Sequence, residues 1–126
     1  MKNKEIGKNP TLRKSTLIAA QGFMTIFKAE RKIRLAFAVA LIFFVLAVWL
    51  KTTYLEILFI LFAWIQVIVG EIFNTSLEKA MDYSSGKEFH PLIKRGKDYA
   101  AASVFVLSVL ASAVSLYILG NKLFSF

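Results

Sequence analysis

A chain of 126 residues that is 57% hydrophobic, with a mean hydropathy of +0.60, is too apolar for a soluble domain of its length and is read as one membrane domain, 1–126. It has no cysteine and a single histidine, His90, which excludes a disulfide framework, a thiolate metal site and chemistry built on several histidines. A net charge of +8 would suggest nucleic acid in a soluble protein; in so apolar a chain it points to anionic lipid instead, and no nucleic-acid partner is expected.

Residues 1–14 read as a basic tail. Over 11–29, Leu17, Ile18, Phe23, Ile26 and Phe27 recur at near-helical spacing with basic residues at both ends, although Gly22 weakens the pattern. This suits an amphipathic helix lying in the membrane interface, set at 15–34; a plain topogenic tail is the blander reading. Three apolar stretches follow. Residues 35–50 and 100–119 are uncharged, and 54–70 contains only Glu56 and Gln66 as strongly polar side chains. A spanning helix needs roughly 20 mostly apolar residues, so transmembrane helices are expected at about 35–51, 54–84 and 98–120. The expected class is an all-α membrane protein, with an interfacial helix ahead of three spans. The first apolar run begins too late and is too long for a cleaved signal core.

The second span is expected to continue past Gly70, because 71–84 contains helix formers and no proline. "YSSGKEFHP" then has turn chemistry, and "LIKRGKDYA" leads into the third span. Lysine and arginine number nine before the first span and five between the second and third, against one in the "KTT" turn and one after the third span. That asymmetry sets the N-terminus and the 71–98 connection on the cytoplasmic side, with the C-terminus outside, in a multi-pass membrane protein. Glu56 then lies near the outer surface and is read as interfacial, without a catalytic role.

The acids of "VIVGEIFNTSLEKAMDY" raise the functional question. At about 100° per residue, and taking Glu71 as origin, Glu78 falls at roughly −20°, Asp82 at roughly +20° and Asn74 at roughly −60°. All four share one face. Stacked carboxylates repel unless they are protonated or hold a cation, and magnesium, which takes hard oxygen ligands, is the natural one. The alternative is the solvated side of a helix end, which fits Asp82 better than Glu71, since Glu71 directly follows "IQVIVG". Glu30, among Lys28, Arg31, Lys32 and Arg34, is either a local ion-pair partner or a further ligand. Lys94, Arg95 and Lys97, followed by Asp98, add cations suited to phosphate oxygens on the same side. Neither GxxxxGK[ST] nor a kinase-type glycine loop is present. From the residues alone, the reading stops at an interfacial site for a metal-bound phosphate compound.

"GEIFNTSLEKAMD" at 70–82 and "HPLIKRGKDYAAASV" at 90–104 resemble the small bacterial integral-membrane lipid kinases, the prokaryotic diacylglycerol kinase and undecaprenol kinase family. The resemblance rests on Glu71, Asn74, Thr75, Glu78, Asp82, Lys97 and Asp98 and covers roughly 15–120. It implies transfer of the γ-phosphate of ATP, the co-substrate, to the hydroxyl of a membrane lipid alcohol, with Mg²⁺ as cofactor. By position it implies Glu71 as general base, Glu78 and Glu30 as magnesium ligands, and Asn74, Asp82, Lys97 and Asp98 as nucleotide-binding residues; Arg34 matches a basic position of the family. It also implies a homotrimer with shared active sites. Two departures are Lys32, where the family often has asparagine, and Ile18, where it commonly has an aromatic residue or histidine. "HPLIKRGKDYAAA" leans toward the undecaprenol branch, whereas diacylglycerol-specific members more often have Gly-Ser near Ala100 and Ala101. The rival readings are a non-enzymatic small membrane assembly or transport subunit, in which Glu71→Gln would matter only for stability, and a lipid phosphatase or transferase using the same metal site.

Overall fold

A computed structural model describes residues 11–125 of the chain; the first ten residues of the expected basic tail, with Lys2, Lys4 and Lys8, lie outside them. The described residues form four helices and no strand: α1 (Leu12–Ala29), α2 (Arg31–Trp49), α3 (Tyr54–Ser85) and α4 (Pro91–Phe124). They divide into two compact units, Met1–Arg31 and Lys32–Phe126.

The first unit is essentially α1. Thr11 is its N-cap, the side-chain oxygen accepting from the Lys14 amide at 3.0 Å, which satisfies one of the free N–H groups of the first turn. No α1 residue is fully buried; Leu17, Ile18 and Met24 each stay about half exposed, and Phe23 stacks on Phe27 with ring centroids 6.1 Å apart. The helix stops at Ala29, short of the expected 34. Glu30 turns extended (φ −114°, ψ 118°), although its N–H still donates to Ile26 O at 2.9 Å. No proline or glycine stands at this break, so local propensity does not signal it.

The second unit holds three helices long and apolar enough to cross a membrane. The α2–α3 turn is tight. Lys51 adopts a left-handed conformation (φ 60°), and both the amide and the hydroxyl of Thr52 donate to Ala47 O at 3.1 Å. Thr53 and Glu56 then close a capping box, the Glu56 carboxylate accepting from the Thr53 amide at 2.9 Å. Glu56 is therefore the N-terminal cap partner of α3.

At 1.5 Å per residue the 32 residues of α3 span about 48 Å, well beyond a hydrocarbon core of roughly 30 Å. The apolar part of α3 ends near Gly70, so its last turns stand outside the hydrocarbon at one end. Helix α4 begins at Pro91, ahead of the residue 98 expected for the span, because His90 and Pro91 form a helix start. The His90 ring nitrogen Nδ1 accepts from the Leu92 amide at 3.2 Å, and proline suits the first helical position, where no N–H is needed. Between the helices, Gly86 takes φ 63°, its N–H donating to the carbonyls of Asp82 and Tyr83, which ends α3 where a left-handed residue is required.

Helices α3 and α4 pack most closely. A β-carbon added to Gly70 would lie 2.8 Å from Leu107 Cδ1, and one added to Gly96 would lie 2.7 Å from Met81 Cε, so both glycines permit a close helix approach. Each directly precedes a residue of interest, Glu71 and Lys97. The core is built on Ile33, Ala36 and Ala47 of α2, Ile60, Trp64, Val67 and Ile68 of α3, and Val104, Ala111, Ile118 and Leu119 of α4. Trp64 ties the three helices together: its Nε1 donates to Ser115 Oγ at 2.8 Å and its ring stacks on Phe43 at 5.4 Å. Interhelical hydrogen bonds in apolar surroundings contribute about 0.6 kcal/mol on average and up to roughly 1.7. A double-mutant cycle of Trp64→Phe and Ser115→Ala, read by unfolding in mixed micelles, is expected to give a coupling in that range; additive losses would remove this bond from the account.

Candidate active site

The α3 acids lie along one face, and α2 brings a lysine to two of them, Glu71 and Glu78. Lys32 Nζ is 4.0 Å from Glu71 Oε1 and 3.8 Å from Glu78 Oε2. The Glu71 side chain is only 17% exposed, against 36% for Glu78, so Glu71 is not the wet end of a helix. Between them Asn74 is 4% exposed and its Oδ1 is buried without a hydrogen-bond partner, as is Thr75 Oγ1. Leaving a buried acceptor unpaired costs about 1–3 kcal/mol, so Asn74 needs an explanation.

Toward the C-terminal end of α3, a second set of charges links α3 to α4. Lys97 Nζ donates to Asp82 Oδ1 at 2.7 Å, linking the two helices. That hydrogen bond, supported by the fields of Lys97, Lys87 and Lys79, holds the Asp82 carboxyl below the usual carboxylate range despite some burial; the same bond raises Lys97. The pair is intact at neutral pH; its contribution is lost as the pH falls through the lowered Asp82 pKa, or rises through the raised Lys97 pKa. Asp98 pairs instead within α4, accepting from Lys94 Nζ at 2.6 Å. That bridge is exposed on both sides and contributes little to stability.

Around these pairs lies a cleft of about 590 Å³. Its polar lining includes Asp82, Lys87, Glu88, His90, Lys94 and Lys97. Sequence reasoning missed Lys87, Glu88 and His90; their signal is the "GKEFH" turn, whose left-handed Gly86 and Lys87 (φ 63° and 67°) bend the chain back over the end of α3. Arg34 is exposed in the first turn of α2, and Glu30 sits at the end of α1, in the other unit.

The oxygen donors suit magnesium. Among the described residues no three acidic or histidine side chains form a metal-ligating group by themselves. Magnesium does not need such a cage; it takes one or two carboxylates and completes its shell with water and substrate phosphates. Glu78 could offer one such carboxylate, on the face that also carries Glu71 and the unpartnered Asn74 Oδ1, and lysines suited to phosphate oxygens stand farther along the same end of α3 and α4.

Fold and site together define a helical membrane protein with carboxylates and lysines gathered at one end of α3 and α4. The family model described as prokaryotic diacylglycerol kinase matches residues 17–119. Proteins named diacylglycerol kinase from two strains of Helicobacter pylori are 38% and 36% identical over 102 residues, covering 69% of this chain and 78% of each relative. One from Haemophilus influenzae is 32% identical over 100 residues, covering 79% of this chain and 84% of its own. The chain belongs to the prokaryotic diacylglycerol kinase family. It is an ATP-dependent lipid kinase of the membrane.

Proposed function

We propose that the chain transfers the γ-phosphate of ATP to the hydroxyl of diacylglycerol at the cytoplasmic face of a bacterial plasma membrane. The observation that carries the reading is the α3 face itself: Glu71 and Glu78 flank a buried Asn74 whose Oδ1 has no partner. The names of the relatives support the lipid, and the excess of lysine and arginine on one side supports a cytoplasmic N-terminus and an outer C-terminus.

In this mechanism Glu71 accepts the proton of the lipid hydroxyl as its oxygen forms a bond to the γ-phosphorus. The bond from that phosphorus to the bridging oxygen breaks, and ADP leaves with the electron pair. Glu78 is a magnesium ligand, and Glu30 is a second one on the strength of the family resemblance, contributed by a neighbouring subunit of a homotrimer. Bound magnesium would neutralise charge on the phosphate oxygens. Asn74 orients the phosphates or the base, while Asp82, Lys97 and Asp98 hold the nucleotide at the α3–α4 cleft. The Asp82–Lys97 bond fixes the ammonium in position before any phosphate arrives. Arg34 adds a cation in the first turn of α2.

A second reading, undecaprenol as acceptor, is favoured by one observation, the "HPL" and K-D-x-A-A pattern at 90–101. Radiolabelled ATP offered to the purified protein with both lipids side by side in detergent micelles separates the two. Labelled phosphatidic acid is the expected product. Labelled undecaprenyl phosphate alone would transfer the reading to the second acceptor, and label in neither lipid would overturn it.

A further inference from the structure

Lys32 is a cation that the fold itself brings to the two carboxylates. One ammonium lies 4.0 Å from Glu71 and 3.8 Å from Glu78, although these acids are two turns, or roughly 10 Å, apart along α3. Both separations exceed hydrogen-bond length, so charge holds the ammonium there rather than directed bonds. Its side chain is 45% exposed, which leaves it room to withdraw. The Asp82–Lys97 bond, at 2.7 Å, is of the other kind, short and directed.

We propose that Lys32 is a positioning residue: a built-in counter-ion that a divalent metal must displace, so that the metal enters with its nucleotide rather than alone. This rests on the reading of Glu78 as a magnesium ligand. A lone divalent ion gains the carboxylates only by pushing an ammonium away from them, and it then repels that ammonium at short range. A metal–nucleotide complex brings phosphate oxygens to which the displaced ammonium can pair, so the repulsion is offset. The lysine thereby biases the site against free metal while helping to dock the polyphosphate.

The test is binding of Mn²⁺, with and without a non-hydrolysable ATP analogue, to the full-length protein in micelles of nonionic detergent, read by the resonance of free Mn²⁺. Lys32→Gln is expected to bind Mn²⁺ alone roughly five- to tenfold more tightly, the scale of one charge at about 4 Å in a water-like environment, and Mn²⁺–analogue several-fold more weakly. Lys32→Arg, which keeps the charge, is expected to behave like the unmodified protein in both arms. Unchanged or weaker binding of Mn²⁺ alone by Lys32→Gln would overturn the proposal, as would equal tightening in both arms. Adding Glu78→Gln to Lys32→Gln is expected to abolish the gain; a gain that survives would overturn the ligand assignment beneath it. Failure of the kinase reading shows separately, as absence of lipid labelling with the Mn²⁺ shifts intact.

Discussion

Glu71→Gln is expected to lower kcat by about 10²- to 10⁴-fold, the contribution of a positioned general base. The substitution keeps the size of the side chain and removes only its capacity to take a proton. The ion pair it loses is a loose one, 4.0 Å to Lys32, so the helix packing around Gly70, Leu107 and Val104 is expected to persist. The KM for ATP is expected to change little, because the cleft proposed for the nucleotide is lined by Asp82, Lys94 and Lys97 rather than by Glu71. Steady-state kinetics in micelles reads both quantities. A kcat within tenfold of the unmodified protein would remove Glu71 from the base role.

Glu78→Gln is expected to fail differently. As the proposed metal ligand its carboxylate would contribute affinity, and its loss should weaken magnesium at least as much as the roughly 10- to 100-fold typical of disturbed partners around a metal. The half-saturating Mg²⁺ concentration is expected to rise, and excess Mg²⁺ is expected to restore part of the rate. A Glu71→Gln enzyme should show no such rescue. The contrast distinguishes two carboxylates on one helix face, one taking a proton and the other holding a cation. A rate loss in Glu78→Gln that no concentration of Mg²⁺ relieves would contradict this division.

The fold was readable where chain-local physics decides it. Long uncharged runs define three spanning helices, and the absence of proline after Gly70 carries α3 on to Ser85. The turn at 83–91 is announced by serines, Gly86 and Pro91, and His90–Pro91 reads in retrospect as the start of α4. The T-x-x-E spacing of Thr53 and Glu56 carries the capping box equally openly, although Glu56 attracts attention first as a carboxylate near a membrane. By contrast, the interruption at Glu30 lies in a run of good helix formers, and nothing in their chemistry marks it.

The site was legible in part. Helical periodicity puts Glu71, Asn74, Glu78 and Asp82 on one face, but periodicity does not say what meets that face. The approach of Lys32 depends on how α2 packs against α3, and the Asp82–Lys97 bond depends on a reversal of the chain between them. Burial of Asn74 and Thr75 to 4% and 3% exposure is likewise a tertiary fact: both are polar, and both look in sequence like members of a solvated helix end. Lys87, Glu88 and His90 join the cleft only because left-handed residues at 86 and 87 fold the turn back.

Phosphoryl transfer is proposed to take place at the Glu71 end of α3. The same helix carries a carboxylate at its other end, Glu56, whose role in the capping box glutamine can also fill. Transfer of radiolabelled phosphate to diacylglycerol, measured for Glu71→Gln and Glu56→Gln in the same micelles, therefore compares one chemical change at two ends of one helix. Near-complete loss is expected for Glu71→Gln and near-normal transfer for Glu56→Gln if the reaction lies at that end. Equal losses, or transfer retained by Glu71→Gln, would contradict it.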